Sequence, residues 1–335
     1  MSIRSELLRA LDVTIVPHPA FVAHEKQLNQ TLQDHQAGVT PYISMLIGPS
    51  RIGKSEILQR LARQYPQSRK DGRLFKPVLL ISIPNGTTPK DLPLSVIQAL
   101  GIPVPKERSR AGVLFDTMLK NLRLANTMAI LFDEASHLVD TGSRVPPRQA
   151  SDWFKSLLDE ARVSIVMSGV PRLRRLLDSN EQLRGRCKRP LELMPYYWSR
   201  NDERKLFAGC AQAFTKIFQD HGCPIQPLVN TDTLMRHLYA VSVGNVGLLS
   251  NYFKALASQV SAPGPINLQT LHRASTEVNL PANGMLQPFE QDSIPDEHLL
   301  QALMSELSIY DISLPIDSPH AALAAHRNQV SAVPA

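Results

Sequence analysis

The sequence predicts an α/β protein: a parallel five-stranded sheet with flanking helices, followed by a helical lobe. Three observations carry that expectation. Short apolar runs alternate with stretches of helical spacing between residues 42 and 193, the pattern of a parallel sheet covered on both faces. The first of those runs ends in a glycine-containing loop that opens a helix. Beyond Pro195 the strand-length runs stop and only helical spacing continues.

Taken in order, the chain up to Thr40 reads as a helix, an extended "TIVPHPAF" segment and a second helix. "YISMLI" (42–47) is the first strand, and Ser55 to Gln64 is the helix after its loop. "PVLLISI" (77–83) is the second strand, followed by a helix over Leu92–Leu100 and another over 111–125. "TMAILF" (127–132), "VSIVMS" (163–168) and "PLEL" (190–193) are the third, fourth and fifth strands, with a helix over 149–161. "SRNDERKLFAGCAQAFTKIF" then opens with a capping Ser or Asn and acidic first-turn residues before apolar positions recur at helical spacing. Thr231–Val241, Gly247–Val260 and Leu268–Val278 read as further helices. The expected domains are an N-terminal helical strap (1–40), the α/β core (41–195), a helical lid (196–280) and a C-terminal tail (281–335). The tail is polar and proline-containing, reads as partly disordered, and has one helical patch at Glu297–Leu307. That patch folds on a partner surface or docks on its own lobe.

Composition narrows the class. A chain of 335 residues with 43% apolar content makes one large domain, or two, with tails. A net charge of +6 favours a polyanionic partner. Three cysteines, Cys187, Cys210 and Cys223, with no C-x-x-C pair, argue against a disulfide framework and for a cytoplasmic setting. No apolar run approaches the roughly 20 residues that span a bilayer, and acids and polar breaks run through the N-terminal "MSIRSELLRALDVTIV", unlike a signal peptide.

The loop after the first strand carries the chemistry. "GPSRIGKSE" places Gly48, Pro49, Ser50, Arg51, Ile52, Gly53, Lys54, Ser55 and Glu56 in the spacing G-x-x-x-x-G-K-S. Glycines let backbone N–H groups turn inward around phosphate oxygens, and the helix N-terminus adds partial positive charge. Lys54 is expected on the β- and γ-phosphates of ATP and Ser55 on Mg²⁺. "MAILFDEASHL" is an apolar strand ending in Asp133 and Glu134. Asp133 is expected to hold the metal shell and Glu134 to polarise the attacking water. An acidic strand end that caps the next helix is the competing reading of that pair.

These features resemble an AAA+ ATPase, a P-loop NTPase with a helical lobe. More narrowly, the chain resembles the TniB/TnsC group of ATP-dependent transposition regulators. The likeness rests on "VPHPAF", "GPSRIGKS", "ILFDEASHL" and "MSGVPRLRRLLDSNEQLRGRCKRPLEL", and covers residues 10 to 280. The resemblance implies ATP hydrolysis and a homo-oligomer, ring or filament, on duplex DNA without sequence preference. Its other implied partners are a transposase and a TniQ-like target selector. Position by position it puts Ser168 at the first sensor and Arg186 at the arginine finger, with Arg184 and Arg189 as rivals. It places His18 and Phe21 near the adenine. The channel loops implied for DNA hold Lys106, Arg108 and Arg110, then Arg144 and Arg148, then Thr88 and Lys90. Two departures stand out: "SVGNVGLLSNYF" lacks the arginine that many second sensors carry, and Arg51 and Ile52 replace the usual Gly or Thr. The first favours one alternative, a nucleotide-gated scaffold with little turnover; the other alternative, within the same enzyme class, is a helicase loader of the IstB or DnaC kind, which favours single strands.

Overall fold

The computed structural model describes residues 2–103, 110–140, 144–226, 231–290 and 293–313. The chain divides into two compact units, Ala20–Leu193 and a second made of Met1–Pro19 with Met194–Ala335. In chain order, α1 (Ile3–Val13) belongs to the second unit, and α2 (Pro19–Gln36) leads into the first.

The Ala20–Leu193 unit is built on five strands. β1 (Ile43–Ile47) is buried at all five positions, so its sequence is a continuous apolar run rather than an alternating one. α3 (Lys54–Gln64) follows and buries Ile57, Leu58 and Leu61. A two-stranded antiparallel hairpin comes next, β2 (Ser68–Lys70) and β3 (Arg73–Phe75). β4 (Val78–Ser82), α4 (Asp91–Ala99), α5 (Ala111–Leu124) and β5 (Ala129–Asp133) continue the alternation. α6 (Pro147–Ala161) starts with proline at its first turn, where a missing N–H does no harm. β6 (Ser164–Gly169), the short α7 (Arg175–Asp178) and α8 (Glu181–Arg184), and β7 (Leu191–Glu192) complete the unit. The sheet order is β4-β5-β6-β1-β7, and all its pairings are parallel. The five-stranded parallel sheet that the sequence predicts is therefore present.

The hairpin is an element that the apolar pattern does not foresee, as are the short α7 and α8. Its strands are three residues long, too short for alternation to register. Its turn is the signal: Asp71 and Gly72 have φ of 50° and 75°, as a two-residue type I′ turn requires.

The second unit is helical: α1 with α9 (Asn201–Asp220), α10 (Thr231–Ala240), α11 (Val246–Gln259), α12 (Leu268–Thr276) and α13 (Asp296–Ser308). Its core holds Leu7, Leu11, Trp198, Phe207, Phe214, Tyr239 and Phe253. α1 packs on α9 and α11, with Asp12 paired to Lys254 at 2.6 Å. α13 docks on its own unit and buries Leu299, Leu300, Leu303 and Leu307. Asp296 at its first position accepts the Trp198 indole N–H at 2.9 Å. Residues 314–335, the part of the tail expected to be disordered, lie outside the described residues. Among the described residues no helix is long and apolar enough to cross a membrane.

Candidate functional site

The sheet topology brings the loop and the acidic pair to one end of one surface. β1 lies beside β6, and β6 beside β5. In the register, Leu46 faces Ser168 and Phe132 faces Met167. Because all three strands run parallel, the loop after β1, Ser168 near the end of β6, and Asp133 ending β5 share the C-terminal edge. That edge is where ligands bind in open α/β sheets.

The loop is shaped by close approach. Gly48 N–H donates to the Gly169 carbonyl at 3.2 Å. A Cβ at Gly48 would stand 2.0 Å from the Leu193 carbonyl oxygen, so only glycine fits. Arg51 and Gly53 both adopt positive φ, 61° and 104°. Ile52 is 2% exposed and lies under Gly48. The unusual pair at 51 and 52 thus has a structural reading: Ile52 anchors the loop in the core while Arg51 takes a left-handed turn. The first-turn N–H groups of α3 have no carbonyl one turn earlier within the helix, which leaves Lys54, Ser55 and Glu56 as backbone donors facing the loop.

Lys54 is 5% exposed. Its ammonium donates to the carbonyls of Gly48 at 3.0 Å and Pro49 at 2.6 Å. Burial pushes its pKa down to about 8, while the charges of Glu134 and Asp133 pull it up. The side chain therefore sits as a buried cation inside its own loop, with two carboxylates as electrostatic neighbours. Asp133 Oδ1 accepts a hydrogen bond from the Ser168 hydroxyl and another from Glu134 N–H at 3.0 Å. Glu134 has φ 53° and ψ 31°, a left-handed conformation that costs a non-glycine residue about 1–2 kcal/mol. Such strain persists where the surroundings hold it and clusters at functional sites.

The oxygen donors fit a magnesium ion. Ser55 makes no side-chain hydrogen bond among the described residues. Asp133 uses one carboxylate oxygen for Ser168 and Glu134, and the other remains. Hydroxyl and carboxylate oxygens are the ligands a hard divalent cation takes.

The comparisons with known proteins agree with this geometry. The model of the Bacterial TniB protein family matches residues 11–196. The chain belongs to the TniB family. Among solved structures, Cdc6p from Pyrobaculum aerophilum matches with a TM-score of 0.56 at 15% identity, over 95% of this chain and 89% of that one. The Aeropyrum pernix ORC2 protein, solved as ADPNP–ADP complexes, matches with a TM-score of 0.54 at 13% identity, over 92% and 79%. The Aeropyrum pernix ORC1 protein in complex with DNA gives 0.52 at 16%, over 99% and 83%. At these identities the likeness establishes the fold, that of the AAA+ ATPases. No curated protein sequence matches.

The remaining site candidates of this TniB-family chain separate. Phe21 is buried, with its ring edge 3.4 Å from where a Gly53 Cβ would stand. His18 belongs to the helical unit, where its Nδ1 lies 2.8 Å from the Tyr196 hydroxyl. Asn245, in the run without an arginine, caps α11 by accepting from Gly247 and Leu248 N–H. Arg186 forks onto Asp159 at 3.0 and 3.1 Å. Arg184 pairs with Asp178 at 3.4 Å, and Arg189 is exposed. Thr88 donates through N–H and hydroxyl to Asp91, both at 2.7 Å, so its hydroxyl is engaged with the first residue of α4. Arg148 donates to the Ser179 carbonyl at 3.0 Å and pairs with Asp152. Lys90, Arg110 and Arg144 are exposed. Lys106 and Arg108 lie outside the described residues. The partners Asp159 and Tyr196 have no sequence signal; tertiary folding alone brings them in.

Proposed function

We propose that this TniB-family chain is an ATP-dependent, DNA-binding regulator of transposition. It assembles on duplex DNA with ATP, links a TniQ-like target selector to a transposase, and disassembles on hydrolysis. One observation carries the reading: Lys54, Asp133, Glu134 and Ser168 converge at one end of one sheet in a chain of this family. The same fold is solved with ADPNP and ADP in the ORC2 protein and with DNA in the ORC1 protein, which supports both halves of the proposal.

Each residue has a defined task. The backbone donors of the Gly48–Ser55 loop and the first turn of α3 hold the phosphates. Lys54 exchanges its two loop carbonyls for phosphate oxygens, a stronger charge-assisted contact. Ser55 and Asp133 hold Mg²⁺, which screens phosphate charge. Glu134 accepts a proton from the attacking water, and Ser168 fixes the Asp133 carboxylate. Phe21 flanks the base. Arg186 serves a neighbouring copy's nucleotide. Its pair with Asp159 is about two-fifths exposed on each side, and such pairs contribute on the order of 1 kcal/mol or less, so its release on assembly costs little.

ATP affinity is expected to fall as pH rises above about 8. The free Lys54 ammonium gives up its proton near that value because burial depresses its pKa. The triphosphate raises the pKa again, so binding takes up a proton wherever the pH exceeds the free value. Below about 8 affinity stays flat; above it the loss approaches tenfold per pH unit. Isothermal titration between about pH 7 and 9 reads this directly, and in Lys54→Arg the slope disappears because a guanidinium stays charged.

Charge and assembly supply a second expectation. If Lys106, Arg108, Arg110, Arg144, Arg148, Lys90 and Thr88 face DNA phosphates, affinity falls steeply with salt. Each cation removed then lowers the log–log slope by about 0.9. Arg186→Ala instead leaves ATP binding intact and removes the rise of ATPase rate with protein concentration. The test of the whole reading is ATP hydrolysis over a protein concentration series, with and without duplex DNA. A rate that neither DNA nor protein concentration raises sinks it and favours the low-turnover scaffold.

A further inference from the structure

The β2–β3 hairpin is not used by the nucleotide site or by the sheet. Among the described residues it pairs with no other strand, and a two-stranded ribbon of this length is marginal by itself. Leu74 and Phe75 are half-buried, whereas Ser68, Arg69, Asp71, Gly72 and Arg73 are exposed. The fold therefore explains the hairpin's base and its Asp71-Gly72 turn, and leaves the identity of its exposed residues open.

Those residues belong to the most one-sided stretch of the α/β unit's early chain. Residues 57–90 contain seven Lys or Arg and one acid, Asp71. Three of the cations are committed: Arg60 to Glu25 at 2.8 Å, Arg63 to Glu56 at 3.5 Å, and Lys76 to the Ala99 carbonyl at 2.6 Å. Arg69 and Arg73 have no ion-pair partner among the described residues. The register also sets Lys70 directly across from Arg73. A guanidinium offers a planar fork matched to phosphate oxygens, and the net charge of +6 adds long-range attraction for a polyanion.

Position separates this surface from the phosphate loop. β3 runs into the start of β4, and β4 is parallel to β1 through β5 and β6. The hairpin thus stands at the N-terminal edge of the sheet, whereas the loop and Glu134 stand at the C-terminal edge.

We propose that the β2–β3 hairpin grips the phosphate backbone of duplex DNA through Arg69 and Arg73, without sequence preference and without need of nucleotide. The proposal rests on the reading of the chain as a DNA-binding protein, and adds a contact surface distinct from the loops at the other edge. The experiment is fluorescence anisotropy of a labelled mixed-sequence duplex with the 335-residue chain, over a salt series, with and without ATP. The double variant Arg69→Gln/Arg73→Gln alters only exposed side chains, and its thermal melt checks the fold. The expected result is a nucleotide-independent affinity that drops about tenfold in the variant, with the log–log salt slope reduced by about 1.8. Arg69→Lys/Arg73→Lys should restore most of the slope, since charge is retained. Unchanged affinity and slope in the Gln variant overturn the proposal and turn the hairpin toward an acidic protein surface. Nucleotide-free binding that depends on the hairpin, with no further rise on adding ATP, keeps this inference and removes ATP-gated assembly. A rise with ATP that the Gln variant leaves untouched, with no nucleotide-free binding, does the reverse.

Discussion

Lys54→Ala is expected to abolish measurable ATP binding and, with it, assembly on DNA. The Lys54 ammonium is buried, and among the described residues it hydrogen-bonds only to two carbonyls of its own loop. In the proposed ATP-bound state those contacts are exchanged for the β- and γ-phosphates. Truncating one partner of a buried charge pair costs about 2–5 kcal/mol, roughly 30- to 4,000-fold in affinity. The folded protein should tolerate the change, because a buried cation with a depressed pKa is itself a burden on the free state. A melting temperature close to the parent's, together with lost nucleotide binding by isothermal titration, is the combination that supports the site. ATP affinity within a few-fold of the parent's would remove Lys54 from it.

Glu134→Gln is expected to separate binding from turnover. The amide keeps the size of the side chain and tolerates the same left-handed backbone, so the loop and Asp133 are undisturbed. It cannot take a proton from water. Hydrolysis should fall by about two orders of magnitude or more, the range found for lost general bases, while ATP binding persists. DNA-bound oligomers should then outlast those of the parent chain. If they disperse at the parent's rate, hydrolysis is not the disassembly step, and the nucleotide acts through binding alone.

Much of this molecule is legible in its sequence because its sheet is parallel and buried. "YISMLI", "PVLLISI", "TMAILF" and "VSIVMS" are continuous apolar runs, as strands with two covered faces must be. The loop and the Asp133–Glu134 pair are legible because backbone donors and strand-end carboxylates are local features. Ser168 is the polar end of an apolar run, and its hydrogen bond to Asp133 spans 35 positions of sequence. Other features have local signals of a different kind. The hairpin announces itself only through Asp71-Gly72. In "TPKD" the Asp91 carboxylate accepts from the Thr88 N–H and hydroxyl three residues earlier, a local side-chain-to-backbone contact. Illegible features are those that only tertiary folding creates: the Arg186–Asp159 fork, the His18–Tyr196 hydrogen bond, and the left-handed turn at Glu134, a residue with no intrinsic preference for it.

The helical unit shows the same division. Tyr239 and Phe207 lie on segments with clear helical spacing, whereas Trp198 precedes α9. That α13 seats on this unit depends on Asp296 meeting the Trp198 indole and the Arg236 guanidinium, which no local pattern encodes. Gly244 is another such point. Its φ is 76°, and a Cβ there would stand 2.1 Å from the Tyr196 carbonyl oxygen, so the glycine before α11 is fixed by packing against a segment far away in sequence.

The central claim is that ATP drives assembly on duplex DNA and hydrolysis reverses it. Electron microscopy of the 335-residue chain on a mixed-sequence duplex, prepared in ATP, in ADP and without nucleotide, tests it most directly. Rings or filaments around DNA are expected in ATP, persistent ones for Glu134→Gln, and dispersed protein in ADP and for Lys54→Ala. A chain that remains monomeric on DNA in ATP, or that assembles equally in all three conditions, contradicts it.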